Sequence, residues 1–507
     1  MRSKNFYFLK WLRESKGNLS EKVARSIVWV SSLQLFDRSL VLAKTIVLAR
    51  LLNPEDFGVF GIALLVLYTM ETFSLTGFNS ALIQRKGNIA DYLDSAWTIE
   101  VIRGFFIALV LFLLSGQIAI FFNTPSASII IKVLGISSFI KSFNNISAIY
   151  LEKEFIFQKF FKYKIFGTLI ETTTAVIFAF IFKSIWALVI GFLAGNLVTL
   201  VMSYIVYPYK PKIKFSKVHL RKLFSFSKWV LISSMMVFLI IHGDDFFAGK
   251  FFGITVLAYY QMAYKFSNIP AKEITGITSR ISFSVYSKLQ NNRLKLKEIY
   301  LKVVKIISFI AYPITGLIIL LSNDFVKIFL GKNWEPIIVL IKVLAIWGLI
   351  RTIGETTGSL LLGIGKPKIL AMLHILQVVL IMITIYPFSV KWGILGTAFS
   401  VVLSSLVMNI IRNFIIRKIL QFDSLVLYKI IFIYPVIIII IPCASILLLK
   451  FFFPVINILF FIMYIIIFIV FFIVSSFFIN LITSYKITND FREFISILKK
   501  SKEQLDN

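Results

Sequence analysis

The sequence predicts an all-α integral membrane protein of about 14 transmembrane helices, arranged as two pseudo-symmetric six-helix lobes plus two C-terminal helices. Three observations carry this reading. The chain has 507 residues, of which 58% are hydrophobic and 53 are Phe, more apolar surface than a soluble domain of that size can bury. Apolar stretches of about 20 residues, enough to cross a hydrocarbon core of roughly 30 Å, recur at a spacing of about 30 residues from Ala24 to Ser484. Finally, the chain repeats itself at long period.

The elements follow in order. Residues 1–24 form a cytoplasmic segment with a basic start. It lacks the short apolar core and small-residue cleavage site of a removable signal. Phe6, Phe8, Leu9, Trp11 and Leu12 interleave with Lys4, Lys10 and Arg13, the pattern of a helix lying on the membrane face; a disordered basic tail fits the same residues. Residues 25–208 are expected to hold spans 1–6, residues 209–228 a basic cytoplasmic linker, residues 229–422 spans 7–12, residues 423–485 spans 13 and 14, and residues 486–507 a cytoplasmic tail. The two sets of six are related by sequence. Lys132-Val-Leu-Gly-Ile, ending nine residues on at Lys141, recurs as Lys342-Val-Leu-Ala-Ile, ending at Arg351; Ala49-Arg50 is echoed by Gly249-Lys250, and Trp186-Ala-Leu by Trp392-Gly-Ile. An even number of spans per copy gives both copies one orientation, so an axis along the membrane normal relates them. Spans 13 and 14, almost free of charge, are expected to face lipid. Trp97, Trp186, Trp229, Trp334 and Trp392 stand near span starts, where an indole suits the interface.

Charge sets orientation. Lys and Arg fall on alternate sides of short loops, concentrating in segments such as Tyr209 to Lys228 and Arg280 to Lys305, which places both termini in the cytoplasm. The net charge of +30 then reflects this bias and attraction to anionic membrane lipids, and nucleic acid is not an expected partner. A single cysteine, Cys443, excludes an intramolecular disulfide, and His219, His242 and His374 are too scattered for a zinc site.

Charges inside spans are costly and mark function or pairing. Asp37, Arg38, Lys44, Glu71, Glu100, Arg103, Lys141 and Glu171 fall in the first lobe, and Asp244, Asp245, Lys265, Lys272, Glu273, Arg351 and Glu355 in the second. Residues three or four apart share a helix face, so Glu100 with Arg103 and Arg351 with Glu355 are each expected to pair within a helix. Lys265 and Lys272 share a stripe without an acid at helical spacing between them and are candidates for binding an anion. Lys141 and Arg351, at equivalent depths of the repeat, are the candidates for holding phosphate. Lys44 and Asp244 also align and are expected to form an outer gate; Asp37, Glu71 and Asp245 are candidates for that gate or for ion coupling. Lys132 and Lys342 are expected to snorkel.

No arrangement in the chain reads as catalytic. There is no phosphate-binding G-x-x-x-x-G-K-[ST] motif, and the expected outer loops are too short to build an enzymatic pocket. The sequence therefore implies a non-enzyme without cofactor or metal.

Five stretches carry a resemblance: LARLLNPEDFG (48–58), SALIQRKG (80–87), WALVIGFLAGN (186–196), AYYQMAYKFSNIP (258–270) and GSLLLGIGKP (358–367). In them the chain resembles Wzx-type oligosaccharide flippases, in the branch with colanic acid and teichuronic acid exporters. Spans 13 and 14 share only hydropathy with that family. The resemblance implies the fold of the multidrug/oligosaccharidyl-lipid/polysaccharide exporter superfamily, two six-helix lobes around a central cavity, and alternating access. It implies as substrate an undecaprenyl-pyrophosphate-linked oligosaccharide, moved outward across a prokaryotic cytoplasmic membrane for surface polysaccharide such as O-antigen or exopolysaccharide. Protons or sodium as coupling ion, and the polymerisation machinery as a partner, are compatible with it. Two alternatives remain at this point: a cation-coupled multidrug exporter binding at Asp37, Glu71, Asp244 and Asp245, and a membrane-embedded glycan polymerase or ligase.

Overall fold

The computed structural model describes residues 19–74, 90–153, 157–207, 209–269, 271, 282–283, 285–455, 457–483, 485, 487 and 490; side chains within 19–33, 90–91, 152–158, 160–162 and 217–233 are outside the description. Residues 1–18, Lys272 and Glu273 are therefore expectations that lie outside the described residues.

The first half contributes α1 (Leu19–Leu51), α2 (Pro54–Phe73), α3 (Ala90–Phe121), α4 (Ala127–Ser142), α5 (Phe157–Phe182) and α6 (Trp186–Val206). The second contributes α7 (Lys217–Phe252), α8 (Ile254–Ser267), α9 (Arg293–Phe325), α10 (Ile337–Gly363), α11 (Pro367–Trp392) and α12 (Ile394–Leu420), followed by α13 (Tyr434–Phe452) and α14 (Ile458–Ile482). Among the described residues ten helical stretches are long and apolar enough to cross a membrane. At 16 and 14 residues, α4 and α8 are too short for that criterion. The expected basic linker is shorter than the sequence suggested, because α7 begins at Lys217 and absorbs its second half.

Local chemistry explains the corners. Pro54 opens α2, where a missing N–H costs nothing, and the Asp56 carboxylate accepts from the backbone N–H of Asn53 (3.2 Å) and of Ile185 (3.0 Å), tying the α1–α2 turn to the start of α6. A Cβ on Gly58 would come within 2.2 Å of the Ile254 carbonyl oxygen, so a side chain there would hold α2 off α8. The LARLLNPEDFG stretch is thus a corner of the bundle.

Within each half the helices pack mainly as α5 on α6, α3 on α4, α8 on α10 and α11 on α12. The halves meet through α2 on α7 and α8, α3 on α7, and α1 on the π-helical turn Val326–Leu330 that ends α9; α4–α6 share no comparable packing with α10–α12. The C-terminal pair α13–α14 packs on α9 around Leu321, Ile446, Phe461, Tyr464 and Phe468. It is less purely apolar in its attachment than expected. Lys450 pairs with Asp324 and donates to the Leu320 carbonyl (2.7 Å), and Lys305 pairs with Asp490 (2.5 Å) just beyond α14. The remaining faces of α13 and α14 expose large side chains such as Phe451, Leu459 and Ile482, as lipid contact requires.

Candidate functional site

Two features dominate the contact between halves, and both use charges that helix geometry makes welcome. At the corner after α1 the Arg50 guanidinium, at the end of that helix, donates to the carbonyls of Lys327 (3.4 Å), Ile328 and Phe329 (2.9 Å) at the end of α9. Lys250, at the end of α7, donates to the carbonyl of Phe121 (2.7 Å) at the end of α3 and lies over the Phe121 ring. The last carbonyls of a helix lack intrahelical donors and carry partial negative charge, so each half caps a helix of the other. The positions that the repeat aligns do the same work on opposite sides of the axis. Trp334 adds a third tie: it is fully buried, donates its indole N–H to the Ala49 carbonyl (3.0 Å) and packs edge-on against Phe57. It is a bolt between halves and not the interfacial anchor that its place near a span start suggested.

Lys44 and Asp244, expected to form an outer gate, have other partners in this structure. Lys44 pairs with Glu171 of α5, inside its own half. Asp244 is 2% exposed and accepts from the Tyr260 hydroxyl (2.6 Å), while Asp245 pairs with His242 (2.9 Å). Each charge found a partner nearer than the opposite lobe, and the bases that join the halves at this end are Arg50 and Lys250, whose acceptors are helix ends.

Below this corner a belt of polar side chains runs through both halves. Lys141 places its ammonium 3.1 Å from both carboxylate oxygens of Glu71, and Ser138 lies 3.4 Å from one of them. For Lys141 the acid comes from α2. Glu100 and Arg103 pair within α3 at 3.0 Å, as their spacing predicted, and Arg103 also donates to the Glu71 carbonyl (3.3 Å). Tyr68 stands close enough to Glu71 and Glu171 to feel both charges. In the second half Arg351 pairs with Glu355 at 3.4 Å, again as spaced, donates to the Tyr264 hydroxyl (3.2 Å) and lies over the Trp347 ring. Lys265 crosses between halves to donate to the Thr45 hydroxyl. Lys132 lies 5.0 Å from the Phe112 ring centroid.

Sequence reading missed Arg412. Its guanidinium donates to Gln377 Oε1 (2.9 Å) and packs against Gly354, and Asn409 donates to the Ile350 carbonyl (3.0 Å). Arg412 lies roughly 27 Å along α12 from Ile394, a single base in an apolar run that merges in sequence with the basic cluster at Arg417 and Lys418. Among the described residues no group of three His, Cys, Asp or Glu gathers to hold a metal ion.

Ten described helical stretches long and apolar enough to cross a membrane, with two halves tied at helix ends and carrying a belt of charges, make this a multi-pass membrane transporter. Residues 47–339 match the family described as polysaccharide biosynthesis protein, and the chain belongs to that family. It is 24% identical over 403 residues to the lipopolysaccharide biosynthesis protein WzxC of Escherichia coli K12, covering 79% of this chain and 82% of that protein. It is 25% identical over 292 residues to the teichuronic acid biosynthesis protein TuaB of Bacillus subtilis 168, covering 57% and 60%. Among solved structures its fold is similar to the lipid II flippase MurJ in an inward closed conformation, with a TM-score of 0.72 at 18% identity over 90% of this chain and 100% of that one. It is also similar to an inward-facing MATE-family multidrug transporter, with a TM-score of 0.61 at 17% identity over 78% and 98%.

Proposed function

We propose that the protein is a flippase for a lipid-linked oligosaccharide of surface polysaccharide biosynthesis, carrying an undecaprenyl-pyrophosphate headgroup outward across the cytoplasmic membrane by alternating access. The observation that carries this reading is the belt, in which Lys141 and Arg351 stand at corresponding positions of the two halves. Moving one hydroxyl into hydrocarbon without a partner costs roughly 2 to 7 kcal/mol, so a glycan needs such a lined path while its polyprenyl tail stays in lipid. An inside-negative potential favours outward movement of each negative charge by about 2.3 kcal/mol per 100 mV. No nucleotide site is required.

The drug-exporter alternative draws less support. Of the four acids it needs, Glu71 is already paired with Lys141, and Asp244 and Asp245 are held by Tyr260 and His242, so three of them would have to exchange a present partner for a drug cation.

Two experiments test the proposal. Purified protein in vesicles should move a fluorescent polyprenyl-diphosphate glycan between leaflets, and vesicles with protein that leave the probe as static as empty vesicles would refute it. Orientation is tested in a Cys443→Ser background: cysteines at Ser216 or Gln290 should react only from the cytoplasm and those at Asn123 or Asn333 only from outside, whereas labelling of Ser216 in intact cells by an impermeant reagent would reverse the topology.

A further inference from the structure

A second recess opens inside the first half, between α1, α5 and α6. Its volume is about 220 Å³, and it is lined by Asp37, Lys164, Thr168, Glu171, Asn196 and Thr199 together with two glycines and an isoleucine. Counted from the outer helix ends, the residues from α1, α5 and α6 converge at roughly 15 to 27 Å depth, near the middle of the bilayer, where transporters place their substrate sites. At its inner wall Glu171 meets Lys44, which neighbours Thr45 and through it Lys265 of the other half. The recess thus borders the belt.

Its chemistry selects among ligands. Asp37 and Glu171 are offset by Lys44 and Lys164, so the recess has no net formal charge and suits neither a drug cation nor a phosphate. The groups that line it are mostly acceptors. Asp37 has no hydrogen-bond or ion-pair partner among the described residues, although a carboxylate at this depth is costly unless something donates to it. The Asn196 amide nitrogen already serves the Ser137 hydroxyl (2.9 Å) and the Phe192 carbonyl (3.0 Å), which leaves its carbonyl oxygen to offer. Thr199 spends its proton on the Gly195 carbonyl (2.7 Å) and Thr168 on that of Lys164 (3.4 Å), so both hydroxyl oxygens are left as acceptors. A ligand that fits brings several O–H donors and no charge, and is small.

We propose that this recess is a subsite for one neutral sugar ring of the transported glycan, held by its hydroxyls on Asp37, Asn196 and Thr199 and giving the protein its preference among glycans. The inference rests on the flippase reading and assigns a separate part of the substrate, the saccharide, to a place away from the phosphate candidates Lys141 and Arg351.

The test has a binding arm and a transport arm, both on the full-length protein. Free neutral hexoses and N-acetylhexosamines are titrated against detergent-solubilised protein by saturation-transfer NMR, and variants are admitted only if their melting temperature matches wild type. Wild type should bind at least one of these sugars, and Asn196→Ala with Thr199→Val should weaken that binding about tenfold, the loss of one or two hydrogen bonds. In vesicles the same double variant should lose the rate advantage of a polyprenyl diphosphate carrying that sugar over the bare polyprenyl diphosphate. Asp37 separates hydrogen bonding from charge: Asp37→Asn, which still accepts, should keep most of the preference, and Asp37→Leu should abolish it. If Asn and Leu at this position slow sugar-bearing and bare lipids equally, the recess serves a charge-dependent step and the subsite is wrong. If no sugar binds, or the double variant binds as wild type does, the subsite is wrong even where transport of the lipid persists. Binding that follows the predicted pattern without any transport would keep the subsite and overturn the flippase reading.

Discussion

Lys141 and Arg351 occupy matching positions in the two halves, yet the structure neutralises them differently. In the first half the base on the fourth helix reaches a carboxylate on the second, Glu71; in the second half the base on the fourth helix reaches a phenol on the second, Tyr264, and finds its acid only within its own helix. A carboxylate competes with phosphate for the same ammonium, and a phenol does not. The repeat therefore sets where the cations stand, while the neighbouring helix decides how much of each charge remains for a ligand. On the proposed reading Arg351 would be the stronger phosphate ligand of the two, both because its bond to Glu355 is long and because a guanidinium can hold phosphate in a fork.

The largest effect expected from this difference is on Arg351. Losing a charge-assisted hydrogen bond is worth about 1.5 to 3 kcal/mol, so Arg351→Ala should cut transport in vesicles about 10- to 100-fold, with Arg351→Lys in between; full activity of the alanine variant would reduce Arg351 to a structural partner of Glu355. Next comes the closure, where the halves behave alike. Arg50→Ala or Lys250→Ala removes one cross-capping base each, and about 1.4 kcal/mol shifts a two-state population tenfold. Spin labels at Asn123 and Asn333 should then report a longer distance population, larger still in the double variant. An unchanged distribution would assign closure to Trp334 and Phe57 instead. The smallest effect belongs to Lys141, whose side chain is 48% exposed and already paired. Such a pair contributes up to about 1 kcal/mol, so Lys141→Ala should lower transport no more than about fivefold, and Glu71→Gln should tighten binding of inorganic pyrophosphate by a similar factor. A collapse of transport in Lys141→Ala would reverse the ranking of the halves.

The division between what was readable and what was not follows the range of the forces involved. Hydropathy and the repeat located the helices well enough that α4 and α10 begin at Ala127 and Ile337, the same offset that separates Lys141 from Arg351. Pairs within one helix turn, Glu100 with Arg103 and Arg351 with Glu355, were legible because 3.6 residues per turn sets their distance. Pairs between helices were not: Lys44 with Glu171, Lys141 with Glu71, Lys450 with Asp324 and Lys305 with Asp490 depend on which faces meet, and no local period encodes that. Arg50 and Lys250 were visible as matching residues of the repeat, but their acceptors are backbone carbonyls, which leave no signature in a sequence.

The central claim is that the glycan headgroup crosses between the halves along the belt while its tail remains in lipid. A photoreactive residue replacing Tyr68 or Tyr264, compared with one replacing the lipid-facing Ile462, tests this in cells that make the polysaccharide. The account predicts that lipid-linked oligosaccharide is captured at positions 68 and 264, identified by mass spectrometry of the adduct, and that position 462 captures only bulk phospholipid. Capture of the glycan at 462 and not at 68 or 264, in cells whose export is intact, would contradict it.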